Sequence, residues 1–207
     1  MSNQINTIIF DLGGVLIDWN PLYVFNDLIP DPERRTYFFQ NVCTSDWNEQ
    51  QDAGTLIAKA TEERIRLFPE WENEIRAYYG HWVEMLGEPL QGTVEILKKL
   101  IDSPNYRIYA LTNWSAETFP IAKSMKRFEF LNWFEGILVS GEEKMIKPQP
   151  EIFELILSRY SIDRTKAVFI DDNLRNVRAS TAVGLETIHF QSSEQLAEEL
   201  KRLSIII

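Results

Sequence analysis

Hydrophobic and polar positions along the 207-residue chain fall into two regimes. In the first, short apolar or β-branched runs are bounded by turn residues: Thr7–Phe10 (TIIF), Tyr106–Leu111 (YRIYAL), Ala167–Ile170 (AVFI) and Glu186–Phe190 (ETIHF), with Gly136–Val139 (GILV) a weaker fifth. Continuous runs of this length predict strands buried on both faces, as in a parallel sheet. Between them, apolar residues recur at helical spacing over Thr93–Ile101, Ala116–Met125, Pro150–Tyr160, Leu174–Ala182 and Ser193–Leu203. Strands alternating with helices predict an α/β fold, with helices on both faces of a parallel sheet.

The second regime runs from residue 20 to 86. It shows no strand pattern and predicts consecutive amphipathic helices: Leu22–Leu28, Pro32–Val42, Asp46–Asp52, Thr55–Phe68 and Trp71–Met85, punctuated by Pro30, Pro32, Gly54 and Pro69. An all-helical block inserted after the first strand predicts a cap over the strand ends, where open α/β sheets bind ligands. The expected organisation is a discontinuous core, 1–19 and 87–207, with a helical cap at 20–86.

Composition narrows the function classes. The formal net charge is −10, so nucleic acid and anionic membrane are expected to be repelled. The N-terminal MSNQINTIIF has neither a basic region nor a long apolar run, so a cytoplasmic protein is expected. The single cysteine, Cys43, permits neither an internal disulfide nor a thiolate metal cluster and reads as a small apolar helix residue. His81 and His189 read as structural, and Trp71, Tyr78, Tyr79 and Trp82 as the core of the cap.

Four groups of polar residues sit at ends of predicted strands or in the loop after one: Asp11, Thr112-Asn113, Lys147 and Asp171-Asp172. Strand ends share one edge of a parallel sheet, so these residues are expected to converge. An all-carboxylate donor set suits Mg²⁺ better than zinc. Three clustered carboxylates call for a divalent cation, while a hydroxyl and a lysine ammonium suit phosphate oxygens. Together they describe a site for phosphoryl transfer to a carboxylate. Gly13-Gly14 reads as a tight turn, and neither GxGxxG nor GxxxxGK[ST] occurs.

The strings IIFDLGGVLID, YALTN, KMIKPQPEIF and VFIDDNLRNVRAS…AVG resemble the four ordered motifs of the haloacid dehalogenase-like hydrolase superfamily. The resemblance implies a Rossmann-like core with a C1-type helical cap. It implies Asp11 as nucleophile, Thr112 (with Asn113 beside it) as phosphate-binding, and Lys147 as steadying the nucleophile and the transferring group. It further implies Mg²⁺ held by Asp11, Asp172 and the Gly13 carbonyl, with Asp171 as ligand or supporting partner.

Gly13 departs from the pattern, because most phosphatases of the superfamily carry a general acid/base aspartate there. The DLGGVLID string resembles the glucose-1-phosphate phosphatase-like branch, so a sugar phosphate is the favoured substrate among small phosphorylated metabolites. Asp18 or an ordered water is expected to replace the missing acid/base, while Trp47 and Trp114 are expected to face the substrate. Three rivals stand beside this reading: a metal-independent 2-haloacid dehalogenase, a phosphonate hydrolase using Lys59 as Schiff base, and a non-catalytic metabolite-binding relative. The sequence is compatible with a monomer or a homodimer.

Overall fold

The computed structural model describes residues 4–206. β1 (Thr7–Phe10) lies at the centre of a five-stranded parallel sheet. Its partners are β4 (Arg107–Thr112), β5 (Gly136–Val139), β6 (Ala167–Asp171) and β7 (Glu186–His189), in the order β5-β4-β1-β6-β7. The register pairs Phe10 with Ala110 on one side and Ile170 on the other, which brings Asp11, Thr112 and Asp171 to one edge.

Alternation along the strands builds a core on each face. Ile8, Phe10, Ile108, Ala110, Val168 and Ile170 share one cluster with Leu97 and Leu100 of α6 (Gln91–Asp102), and Leu196 and Leu200 of α11 (Ser193–Arg202). Ile9, Tyr109, Leu111 and Phe169 face the other way, onto Ile152, Phe153 and Ile156 of α9 (Pro150–Arg159). Short helices α7 (Phe119–Ser124) and α8 (Ser140–Glu143) follow β4 and β5. α10 (Leu174–Ala182) follows β6 and is capped by the Asn173 side chain.

The helical segment comprises α1 (Leu22–Leu28), α2 (Pro32–Tyr37) running into a π-helical turn at Phe38–Val42, α3 (Ser45–Asp52), α4 (Ile57–Leu67) and α5 (Glu72–Gly80). Its own core gathers Phe25, Phe38, Val42, Trp47, Ile65, Trp71, Ile75 and Tyr78, with Phe25 stacked on Phe38. The sequence pattern missed one device. β2 (Ile17–Trp19) and β3 (Leu86–Pro89) pair antiparallel, so chain leaving and re-entering the sheet domain does so through a two-stranded ribbon. Three-residue and four-residue strands offer too few positions for alternation to register. Trp82 also departs from expectation: it joins the core beside the sheet and packs on Trp19 and Trp114 at the seam, at 5.9 and 5.8 Å.

Candidate active site

At the carboxyl edge of the sheet, four strand-end segments converge. Asp11 follows β1 and is nearly buried, and its Oδ2 lies 2.9 Å from Lys147 Nζ. Its Oδ1 accepts from the N–H of Leu12 at 2.7 Å, which fixes the carboxylate plane. Lys147 is fully buried and donates to Asp171 Oδ2 at 2.7 Å as well. Asp171, also fully buried, accepts from Asn173 N at 2.8 Å and from Asn176 Nδ2 at 3.1 Å. Asp171 therefore holds the lysine, and Asn176 holds Asp171.

Oxygens of Asp11, Asp171 and Asp172 lie within 4.8 Å of one another. Burial is the largest influence on Asp11 and pushes its carboxyl up to about 8; Lys147 opposes this, and Asp171 and Asp172 add to it. Burial by itself lowers the Lys147 ammonium, but Asp11 and Asp171 together outweigh it, so its pKa is raised and the charge is kept. Asp172 is raised, first by burial and then by Asp171. A cluster of oxygen donors that resists simultaneous ionisation fits a hard divalent cation such as Mg²⁺, which compensates the repulsion without thiolate or imidazole ligands.

The turn after Asp11 separates the roles of its two glycines. Gly14 has φ +74°, and a Cβ there would lie 2.3 Å from Asp172 Oδ2, so conformation and space both demand glycine. At Gly13 nothing lies within 4 Å of a Cβ position, which opens onto the cleft. Thr112 is buried and lines the cleft. Asn113 lines it too, and its amide grips the Lys147 backbone twice.

The cleft has a volume of about 450 Å³ and lies between this edge and the helical segment. Four expected residues are not part of its wall: Lys147 and Asp171 are fully buried, and Asp18 and Trp47 turn elsewhere. Asp18 alternates away from Ile17 and Trp19, which do line it; its carboxylate instead accepts from the Tyr23 hydroxyl and packs on Gly87. Trp47 is buried against Tyr78 and Tyr79, with ring centroids 5.3 and 5.7 Å away. Trp114 does line the cleft. Lys59 lies on an exposed face, 3.9 Å from Glu63, so the Schiff-base rival loses its residue. His81 pairs with Glu84 on the surface, while His189 contacts the Asp172 carbonyl at 2.9 Å.

Sequence reasoning missed a polar stripe on α3. Ser45, Asn48, Glu49 and Asp52, spaced i, i+3, i+4 and i+7, line the cleft, whereas Trp47 and Gln51 are buried. That spacing was legible, but nothing local said which helix face meets the cleft. Glu49 pairs with Arg175 of α10 across 126 residues, joining the helical segment to the sheet domain. Burial, then Glu49, raises Asp52 to about 7, against an opposing hydrogen bond from the Ser115 backbone.

Comparison with known proteins follows the same lines. A sesquiterpene phosphatase of Aspergillus oryzae is 26% identical over 98% of this chain and 98% of its own length. The pyrophosphatase PpaX of Halalkalibacterium halodurans is 24% identical over 89% of this chain and 82% of its own. A haloacid dehalogenase family enzyme of Bacteroides thetaiotaomicron, solved with magnesium and inorganic phosphate, superposes with a TM-score of 0.69 at 25% identity, over 91% and 95% of the two chains. Among the described residues, no helix is long and apolar enough to cross a membrane. Residues 5–184 match the family model described as haloacid dehalogenase-like hydrolase, and the chain belongs to that family.

Proposed function

We propose that this protein is a Mg²⁺-dependent phosphatase that hydrolyses a small phosphorylated metabolite through an aspartyl-phosphate on Asp11. One observation carries the reading: a strand-end carboxylate held 2.9 Å from a fully buried ammonium, inside a cluster of three acidic side chains. The phosphatase names of the relatives from A. oryzae and H. halodurans support it, as do the magnesium and phosphate of the B. thetaiotaomicron structure.

In this reading an Asp11 oxygen attacks phosphorus while the bond to the leaving oxygen breaks. Thr112 and Lys147 hold the phosphoryl oxygens, and Asp171 keeps the ammonium of Lys147 in place. Asp11, Asp172 and the Gly13 carbonyl would hold Mg²⁺, whose charge offsets that of the phosphoryl group and the clustered carboxylates. With Gly13 bare and Asp18 turned toward Tyr23, the leaving oxygen takes its proton from solvent. Water then attacks the aspartyl-phosphate, releasing phosphate and restoring Asp11. Residues 20–86 act as a C1-type cap domain over the core formed by 1–19 and 87–207. A sugar phosphate is the favoured substrate because DLGGVLID resembles the glucose-1-phosphate phosphatase-like branch.

The test is phosphate release from sugar phosphates, nucleotides and p-nitrophenyl phosphate, with Mg²⁺ or with EDTA, for wild type and Asp11→Asn. Release is expected with Mg²⁺ alone and is lost in Asp11→Asn. Turnover that survives this substitution would sink the proposal.

A further inference from the structure

In the phosphatase reading the phosphoryl group takes the end of the cleft lined by Asp11 and Asp172, and the remaining volume takes the leaving group. Its charge is nearly cancelled. Among the lining residues away from the acidic cluster, the ionisable side chains of opposite sign are Glu49 and Arg175, and they pair with each other. The remaining carboxyl there, Asp52, is tethered on Oδ2 by Asn48 Nδ2 at 2.9 Å. Asn48 is oriented in turn, because its Oδ1 accepts from the Tyr79 hydroxyl at 3.1 Å. A second anionic group on the substrate would find the one cation of this region already engaged.

Other parts of the wall are largely aromatic. Trp114 and Thr118 line the cleft, but Trp114 Nε1 and Thr118 Oγ1 are themselves buried and present no polar surface to a ligand. Half-buried Trp19 and Tyr79 add aromatic surface to the same cleft.

We infer that Asn48 and Asp52 are specificity-determining residues that hydrogen-bond a hydroxyl of the leaving group, and that this group is an uncharged alcohol carrying at least one further hydroxyl. The inference rests on the phosphatase reading and deepens it. An amide and a carboxyl side by side both donate to and accept from a hydroxyl when the carboxyl is protonated, which its raised pKa of about 7 favours. A pyrophosphate leaving group would bring charge into a region with no free cation. A long terpenyl chain would bury the polar edges of Asn48 and Asp52 against hydrocarbon with no hydroxyl to bond, and polar sites discriminate strongly against such ligands.

The experiment measures kcat/KM with Mg²⁺ for glucose 1-phosphate, pyrophosphate, farnesyl phosphate and p-nitrophenyl phosphate, in wild type, Asn48→Leu and Asp52→Asn. Wild type is expected to prefer glucose 1-phosphate over pyrophosphate and farnesyl phosphate. The ratio of kcat/KM for glucose 1-phosphate to that for p-nitrophenyl phosphate is expected to fall about tenfold in Asn48→Leu, the value of one hydrogen bond. Asp52→Asn keeps the shape and is expected to lower the same ratio. An unchanged ratio in both variants, or a wild type that prefers pyrophosphate or farnesyl phosphate, overturns the inference while leaving the phosphatase intact. Silence on every substrate, p-nitrophenyl phosphate included, overturns the phosphatase reading and this inference with it.

Discussion

Asn113 closes a ring of two hydrogen bonds on Lys147: its Oδ1 accepts from the Lys147 N–H at 2.8 Å, and its Nδ2 donates to the Lys147 carbonyl at 2.9 Å. An amide at the end of β4 thus fixes, 34 residues away, the backbone that carries the buried ammonium. Removing it leaves two partly buried backbone groups to find other partners. Asn113→Ala is expected to lose roughly 1–3 kcal/mol of stability, read by urea denaturation. Its kcat is expected to fall more than its KM rises, because Lys147 loses its register against Asp11.

Lys147 itself compensates two carboxylates. In Lys147→Met, Asp11 and Asp171 remain buried without their cation. Removing one partner of a buried ionic cluster costs roughly 3–5 kcal/mol. The cost is expected to be smaller at pH 5 than at pH 8, since protonation relieves the repulsion. Equal losses at both pH values, measured by denaturation, would contradict the charge argument.

The two glycines after Asp11 are expected to respond in opposite ways. Gly13 faces open space and has no positive φ, so Gly13→Asp is expected to fold normally. It adds a carboxyl to the cleft wall beside Asp11, and a positioned acid/base contributes roughly 10²–10⁴-fold. A rise in kcat on substrates with poor leaving groups is the expected result. Gly14→Ala forces a side chain into φ +74° and against the Asp172 carboxylate. It is expected to cost roughly 1–2 kcal/mol in backbone strain, and to raise the Mg²⁺ concentration needed for half-maximal activity.

Stability should fall with pH before metal is added. Burial holds Asp11 at about 8 and Asp52 at about 7, both above their ordinary values. An acid raised in the folded state contributes stability below its unfolded pKa and loses that contribution as pH rises through the folded one. In EDTA, Tm is therefore expected to decline between about pH 4 and pH 8. Mg²⁺ competes with the proton on Asp11, so its addition is expected to raise Tm more at pH 8 than at pH 5. The opposite order in a thermal melt would refute the assignment.

Much of the core was legible because its signals are local. TIIF, AVFI and GILV mark strands by continuous apolar runs, and the structure starts all three where the pattern does. Asp11, Thr112 and Asp171-Asp172 could be brought together from sequence, since strands in parallel register deliver their ends to one edge. The β2–β3 ribbon was not legible, because two short strands separated by a helical block show no periodicity of their own.

The sequence by itself determined the five strands of the parallel sheet, the presence of a helical insertion after the first of them, and the strand-end residues that gather at the carboxyl edge. Tertiary structure decided which way each side chain faces. Trp47 had looked like a substrate contact, but packing with Tyr78 and Tyr79 turns it into the helical core and rotates Asn48 and Asp52 toward the cleft. Asp18 is one residue from Ile17, yet strand alternation gives it to Tyr23. Charge followed the same rule: Lys147 matters because two carboxylates lie within 3 Å of its ammonium. Spacing along a chain sets which faces exist, whereas the desolvation and pairing that give those faces their chemistry depend on distances through space.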